Sequence, residues 1–192
     1  MTRSFLFLLA GARPDGNTES LARAAAEQLP SDTEQRWLEL AQLPLADYVD
    51  ARHSDAPWPQ QENEELLRQA TLAATDIVIA SPLYWYSMSS YAKRYFDYWS
   101  KWLTTPDPDF RTTMRGRTLW GVTAMAHREE VVAQPLVHTL HHTAAYMGMH
   151  FGGVLLGNGS RPGQVSADER AAMRAKTFFA QEASLARFPF EA

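Results

Sequence analysis

Cysteine does not occur anywhere in the 192-residue chain. Its absence excludes a disulfide framework, a thiolate zinc site, a cysteine-held iron–sulfur cluster and a cysteine nucleophile. An excess of positive charge is also missing, since 18 Lys and Arg face 22 Asp and Glu for a formal charge of −4. The two signs are interspersed, so there is no electrostatic footprint for DNA or RNA and no nucleic-acid partner is expected. Long apolar runs are missing too. The first, Phe5–Ala10, falls far short of the roughly 20 residues needed to span a bilayer. It is also short for a secretory signal, and Arg13-Pro14-Asp15 follows where a small-residue cleavage site would stand. The expectation is a cytoplasmic protein that does not engage a membrane. What remains is 45% apolar and 21% charged, an ordinary composition for a globular protein. The length suits one domain over residues 1–192, with enough core to fold without metal or disulfide staples.

Two hydrophobic periods alternate along the chain. Phe5-Leu6-Phe7-Leu8-Leu9-Ala10 and Ile77-Val78-Ile79-Ala80 are unbroken apolar runs, as expected of strands covered on both faces. Leu119–Val122 and Gly153–Leu156 are further strand candidates. Arg36-Trp37-Leu38-Glu39-Leu40 mixes charge with apolar residues and suits a sheet edge. Between them run helical stripes: Leu21, Ala25 and Leu29 after a cap at Asn17 or Thr18; Leu66, Ala70 and Ala73; Tyr91, Tyr95, Tyr98 or Trp99, and Trp102; Leu136, Leu140, Ala144 and Met147; and Ala175, Phe179, Ala183 and Ala186. Five strands alternating with five helices predict an α/β fold, a doubly wound parallel sheet with helices on both faces. The order 2-1-3-4-5 puts the Trp37 strand at an edge. Ala46–Gln61, with His53, Pro57, Trp58 and Pro59, and Thr104–Arg117, with Pro106 and Pro108, read as loops.

The first strand leads into Gly11-Ala12-Arg13-Pro14-Asp15-Gly16-Asn17-Thr18 and then a helix. Glycines five apart between a strand and a helix N-terminus match the spacing of a phosphate-binding loop, where outward amides and the helix dipole favour an anion. Asn17 stands where a nucleoside-triphosphate loop needs Lys, so a monophosphate is the better match. Arg13, Asn17 and Thr18 supply its donors. The bland alternative is a Gly/Asn turn capping a helix.

The third strand ends in Ser81-Pro82-Leu83-Tyr84-Trp85-Tyr86-Ser87-Met88. At the switch point between strands one and three this loop faces the same crevice as the first. Its adjacent aromatics suit a flat heteroaromatic ring, or else a partner subunit. After the fourth strand, the backbone of Ala124, Met125, Ala126 and His127 borders that crevice and can bond the ring's polar edge. His127 is the candidate for tuning it, and no catalytic residue is assigned.

These two loops, with Lys93, Phe96 and Asp97 after the second and Gly148, Phe151, Gly153 and Gly157–Gly163 further on, resemble the NADPH-dependent FMN reductase branch of the flavodoxin-like proteins. The resemblance implies a flavodoxin-like fold, non-covalent FMN, and NADPH or NADH as co-substrate. It also implies a small acceptor (flavin, quinone, nitro or azo compound) and a homodimer with flavin near the interface. In the family pattern Ser is common where this chain has Ala12, which removes one hydroxyl from the phosphate site. A flavodoxin-type electron carrier, or a regulatory flavin-binding subunit without turnover, is the alternative. Hydride transfer between stacked rings needs no dedicated acid or base, in keeping with the lack of a recognisable triad or carboxylate pair. His138, His141 and His142 lie opposite the apolar stripe of their helix, and no metal is expected there. The stretch Gly157-Asn158-Gly159 to Gly163 reads as a solvent turn.

Overall fold

The computed structural model describes residues 2–53, 58, 61–106 and 109–190, so the features expected at Pro57, Pro59 and Pro108 lie outside the described residues. The strands are β1 (Ser4–Leu9), β2 (Glu34–Glu39), β3 (Asp76–Ala80), β4 (Thr118–Met125), β5 (His150–Asn158) and β6 (Ser184–Leu185). The helices are α1 (Asn17–Ala26), α2 (Glu62–Ala73), α3 (Ser90–Trp102), α4 (Phe110–Met114), α5 (Gln134–Met147) and α6 (Glu169–Ala175). One sheet runs β2-β1-β3-β4-β5-β6. Its first five strands are parallel, in the expected order and with β2 at the edge.

The alternation along β1 explains why its run is apolar throughout. Phe5, Phe7 and Leu9 join the core on the α1 and α6 side. Leu6 and Leu8 join the core on the α2, α3 and α5 side. Burying side chains of this size stabilises by about 1.5–3 kcal/mol each. At the N-terminal edge the buried Asp76 carboxylate takes Arg3 at 2.6 Å and Trp120 Nε1 at 2.9 Å. Trp120 lies flat against β5 because residue 152 is glycine; a Cβ there would sit 2.1 Å from the indole. The aromatic stripe of α3 packs edge to face, with Tyr95 against Trp99 and Trp102, and both tryptophans against Phe110.

Four expectations are corrected. The sheet has a sixth strand, the two-residue β6, antiparallel to β5 through His150–Leu185 and Phe151–Ser184. Two residues carry no periodicity, so only the path of the chain reveals it. The fifth helical stripe is not one helix: α6 ends at Ala175, Phe178–Ala180 form a 3-10 turn, and Ala183 and Ala186 flank β6. Phe178 and Phe179 turn inward onto Trp120, at 5.2 and 5.4 Å. The buried residues of α2 are Glu64, Leu67, Ala70, Thr71 and Leu72, whereas Leu66 is half-buried and Ala73 exposed. Finally, Thr104–Arg117 contains α4, capped by Asp109, whose side chain accepts from Thr112 N, with Phe110 and Met114 buried.

Candidate functional site

A cavity of about 370 Å³ opens at the carboxyl ends of β1, β3 and β4, a size usual for small-molecule sites. It lies where the strand order reverses between β1 and β3. The first loop contributes Ala12, Arg13, Asn17 and Thr18 to its lining. The second contributes Pro82, Leu83 and Tyr84, and the third Ala124, Met125 and Ala126. Trp85, Ser87 and His127 do not line it.

Gly16 is the N-cap of α1, with no side-chain bond, so neither Asn17 nor Thr18 caps the helix as expected. Both are buried in its first turn and reach across the fold instead. Asn17 donates from Nδ2 to the Arg161 carbonyl at 2.8 Å and accepts from Val165 N at 3.3 Å. Thr18 Oγ1 accepts from Ala124 N at 3.1 Å. The Asn17 amide and the Ala124 N–H are therefore committed inside the protein, and the cradle is left with backbone amides, the Thr18 hydroxyl proton and Arg13. The first turn of an α-helix leaves the amides of Asn17, Thr18 and Glu19 without intrahelical partners; the first helical bond is Ser20 N to Gly16 O at 2.9 Å.

The Gly157–Gly163 stretch is not a solvent turn at its start. Gly159 donates to the Met125 carbonyl at 2.9 Å, and Gly159 and Ser160 line the cavity. A Cβ at Gly159 would meet Val165 N at 2.7 Å and Asn17 Nδ2 at 3.1 Å, so the close approach that braces the first loop requires glycine. Asn158 Nδ2 lies 3.2, 3.0 and 2.9 Å from the carbonyls of Met125, Ala126 and His127, fixing the third loop. Asp168 in turn accepts from Asn158 N at 2.7 Å and caps α6 through Ala171 N at 3.0 Å. Burial works to raise the Asp168 carboxyl, but the amides of Ala171, Asn158 and Arg170 hold it below its ordinary value.

The aromatic loop is a tight hairpin rather than a wall. Tyr84 and Ser87 exchange backbone bonds of 2.9 and 3.0 Å across Trp85 and Tyr86, whose φ angles are +49° and +65°. Positive φ at both central residues is the type I′ pattern, which usually takes Asn or Gly. Its base is closed by Ser81 Oγ, which accepts from Ser89 N at 2.8 Å. Tyr84 faces the cavity, whereas Trp85, at 94% exposure, stands clear of it at the tip.

Sequence reasoning missed Glu19, Glu39, Ala41 and Gln42, which also line the cavity. The last three follow from the placement of β2 beside β1, whose carboxyl end opens on the same crevice. Among the described residues no cluster of three or more His, Asp or Glu is arranged to hold a metal, and no helix is long and apolar enough to cross a membrane. The rings of His138 and His142 stack at 6.2 Å, and His141 packs on Phe151.

Residues 3–178 match the family described as Flavodoxin-like fold. A protein of Bacillus subtilis (strain 168), provisionally named NAD(P)H-dependent FMN-containing oxidoreductase YwqN, is 31% identical over 163 residues, 84% of this chain and 88% of its own. Among solved structures, the Trp repressor binding protein of Bacillus subtilis superposes with a TM-score of 0.73 at 25% identity, covering 93% of this chain and 99% of its own. The NAD(P)H:quinone oxidoreductase of Methanothermobacter marburgensis shares the fold, with a TM-score of 0.69 at 17% identity over 92% of this chain and 94% of its own.

Proposed function

Because this chain belongs to the flavodoxin-like family, we propose that it is an FMN-dependent NAD(P)H oxidoreductase delivering reducing equivalents to a small acceptor such as a quinone, flavin, nitro or azo compound. The observation that carries this reading is the cavity at the β1/β3 switch point, with the N-terminus of α1 at one end and the Pro82–Tyr84 loop at the other. The residues present fit FMN. Unpartnered first-turn amides, the Thr18 hydroxyl and Arg13 suit its phosphate. Pro82, Leu83 and Tyr84 offer a largely apolar surface for the ring, and the backbone of Met125 and Ala126, held by Asn158, offers polar groups for its edge.

FMN held by the first-turn amides, Thr18 and Arg13 would supply the redox chemistry, the exchange of a hydride or electrons between a nicotinamide and an acceptor. The protein's residues position and insulate. Asn17, Gly159 and Asn158 brace the first and third loops against each other, while Ser81 and Ser89 close the second. No side chain is required to carry a proton in this scheme, and His127 lies outside the cavity lining.

The exposed tip of Tyr84, Trp85 and Tyr86 supports a second part of the reading. A second copy of the chain covers it, giving a homodimer with flavin near the interface. A cytoplasmic, single-domain protein without a nucleic-acid partner completes it.

The test is anaerobic stopped-flow with purified, flavin-loaded protein. NADPH or NADH is expected to bleach the bound flavin, and a quinone to restore its absorbance. Failure of both nicotinamides to bleach it overturns the oxidoreductase reading in favour of a carrier or regulatory role.

A further inference from the structure

The first loop already holds an anion of its own. Glu19, in the first turn of α1, turns back so that Oε2 accepts from Asp15 N at 3.1 Å. Its other oxygen takes Arg23 Nε at 2.8 Å and Nη2 at 2.7 Å. The Glu19 side chain is 14% exposed and lines the cavity. Arg23 is held in turn over the Trp37 ring, 4.4 Å from its centroid. Asp15, whose amide is thus occupied, has a φ of +51°, so the carboxylate also holds the loop's one left-handed non-glycine residue.

We propose that Glu19 and Arg23 set the affinity of this site for a ligand's phosphate, with Glu19 a specificity-determining residue that holds phosphate binding back. The inference rests on the flavin reading above. The charged groups around the cradle are Arg13, Asp15 and Glu19 from the loop and α1, Arg23 behind Glu19, and Glu39 at the end of β2. Glu19 thus takes one amide that would otherwise face an anion, and it neutralises the Arg23 guanidinium one turn further along α1. A phosphate is met by backbone dipoles and Arg13 against a fixed negative charge, with no serine hydroxyl at Ala12 to add to its ligands. A ligand without phosphate does not sense this balance.

Glu19→Gln keeps an oxygen that can accept from Asp15 N but removes the charge and releases Arg23 from its ion pair. For a unit charge within one helical turn of a partly screened phosphate, the expected gain in FMN affinity is about five- to tenfold. Arg23→Gln leaves Glu19 charged and uncompensated, and is expected to weaken FMN by about the same factor. The experiment titrates the flavin-stripped protein and both variants with FMN and with riboflavin, following flavin fluorescence. Opposite shifts for FMN in the two variants, with riboflavin unchanged, support the inference. FMN affinities unchanged in both variants, or FMN and riboflavin moving together, overturn it while leaving the flavin reading intact. Wild-type protein that binds neither flavin overturns both.

Discussion

Replacing Thr18 by Val should separate the structural from the binding role of the first helical turn. Thr18 is 6% exposed, and its Oγ1 accepts from Ala124 N at 3.1 Å, joining α1 to the end of β4. Valine matches the shape of threonine but cannot accept, so the buried Ala124 N–H would be left without a partner. An orphaned buried donor costs about 1–3 kcal/mol. For a chain of this length each kcal/mol lowers Tm by roughly 2–4 °C, so a mid-range loss lowers it by about 4–8 °C. The same substitution removes a hydroxyl donor from the phosphate cradle. A charge-assisted bond of about 1.5–3 kcal/mol corresponds to an FMN affinity about ten- to a hundredfold weaker. Thr18→Ser should restore most of both. Thermal denaturation without flavin isolates the structural part, and FMN against riboflavin titration isolates the binding part. A Val variant with wild-type Tm would refute the Ala124 bond. Wild-type FMN affinity in that variant would refute the hydroxyl's place in the cradle.

Other substitutions test the surrounding architecture. In dilute, monomeric protein Trp85→Gly should leave Tm unchanged or raise it by up to about 4 °C, because a left-handed non-glycine residue costs about 1–2 kcal/mol, partly offset by the added freedom of glycine in the unfolded chain; a fall of several degrees there would contradict the relief of strain, and unchanged self-association of the variant would contradict a second copy covering the indole. Glu64→Ala should cost about 3–5 kcal/mol in urea denaturation, since this buried carboxylate takes Lys101 at 2.7 Å and Trp102 Nε1 at 3.1 Å; a loss below 1 kcal/mol would contradict it. Asp168 is held below its ordinary value of 3.8, so it binds fewer protons folded than unfolded. Its contribution is then present above that value and lost as pH falls through it toward the lowered value of the folded state. Asp168→Asn should lower stability at pH 7 and flatten that acid limb, whereas an unchanged limb would count against the two amide bonds.

The sequence by itself determined the layer plan. The unbroken runs of β1 and β3 can be buried only between two helical layers, and the mixed Trp37 strand tolerates only an edge. Strand order then placed the first and second loops at one crevice, because ligand sites of such sheets collect at the reversal of order. What depended on distant partners was not legible. Asn17 and Thr18 look like caps in sequence, yet their side chains bond Arg161, Val165 and Ala124, more than 100 residues away. The aromatic triplet looks like a wall, but positive φ angles at Trp85 and Tyr86 fold it into a hairpin that leaves only Tyr84 at the cavity. The last helical stripe dissolves because Phe178 and Phe179 find Trp120, and the chain then returns as β6. Periodicity reports which residues must leave water, a local property of the chain; which polar group is satisfied by which partner is decided only when the elements pack.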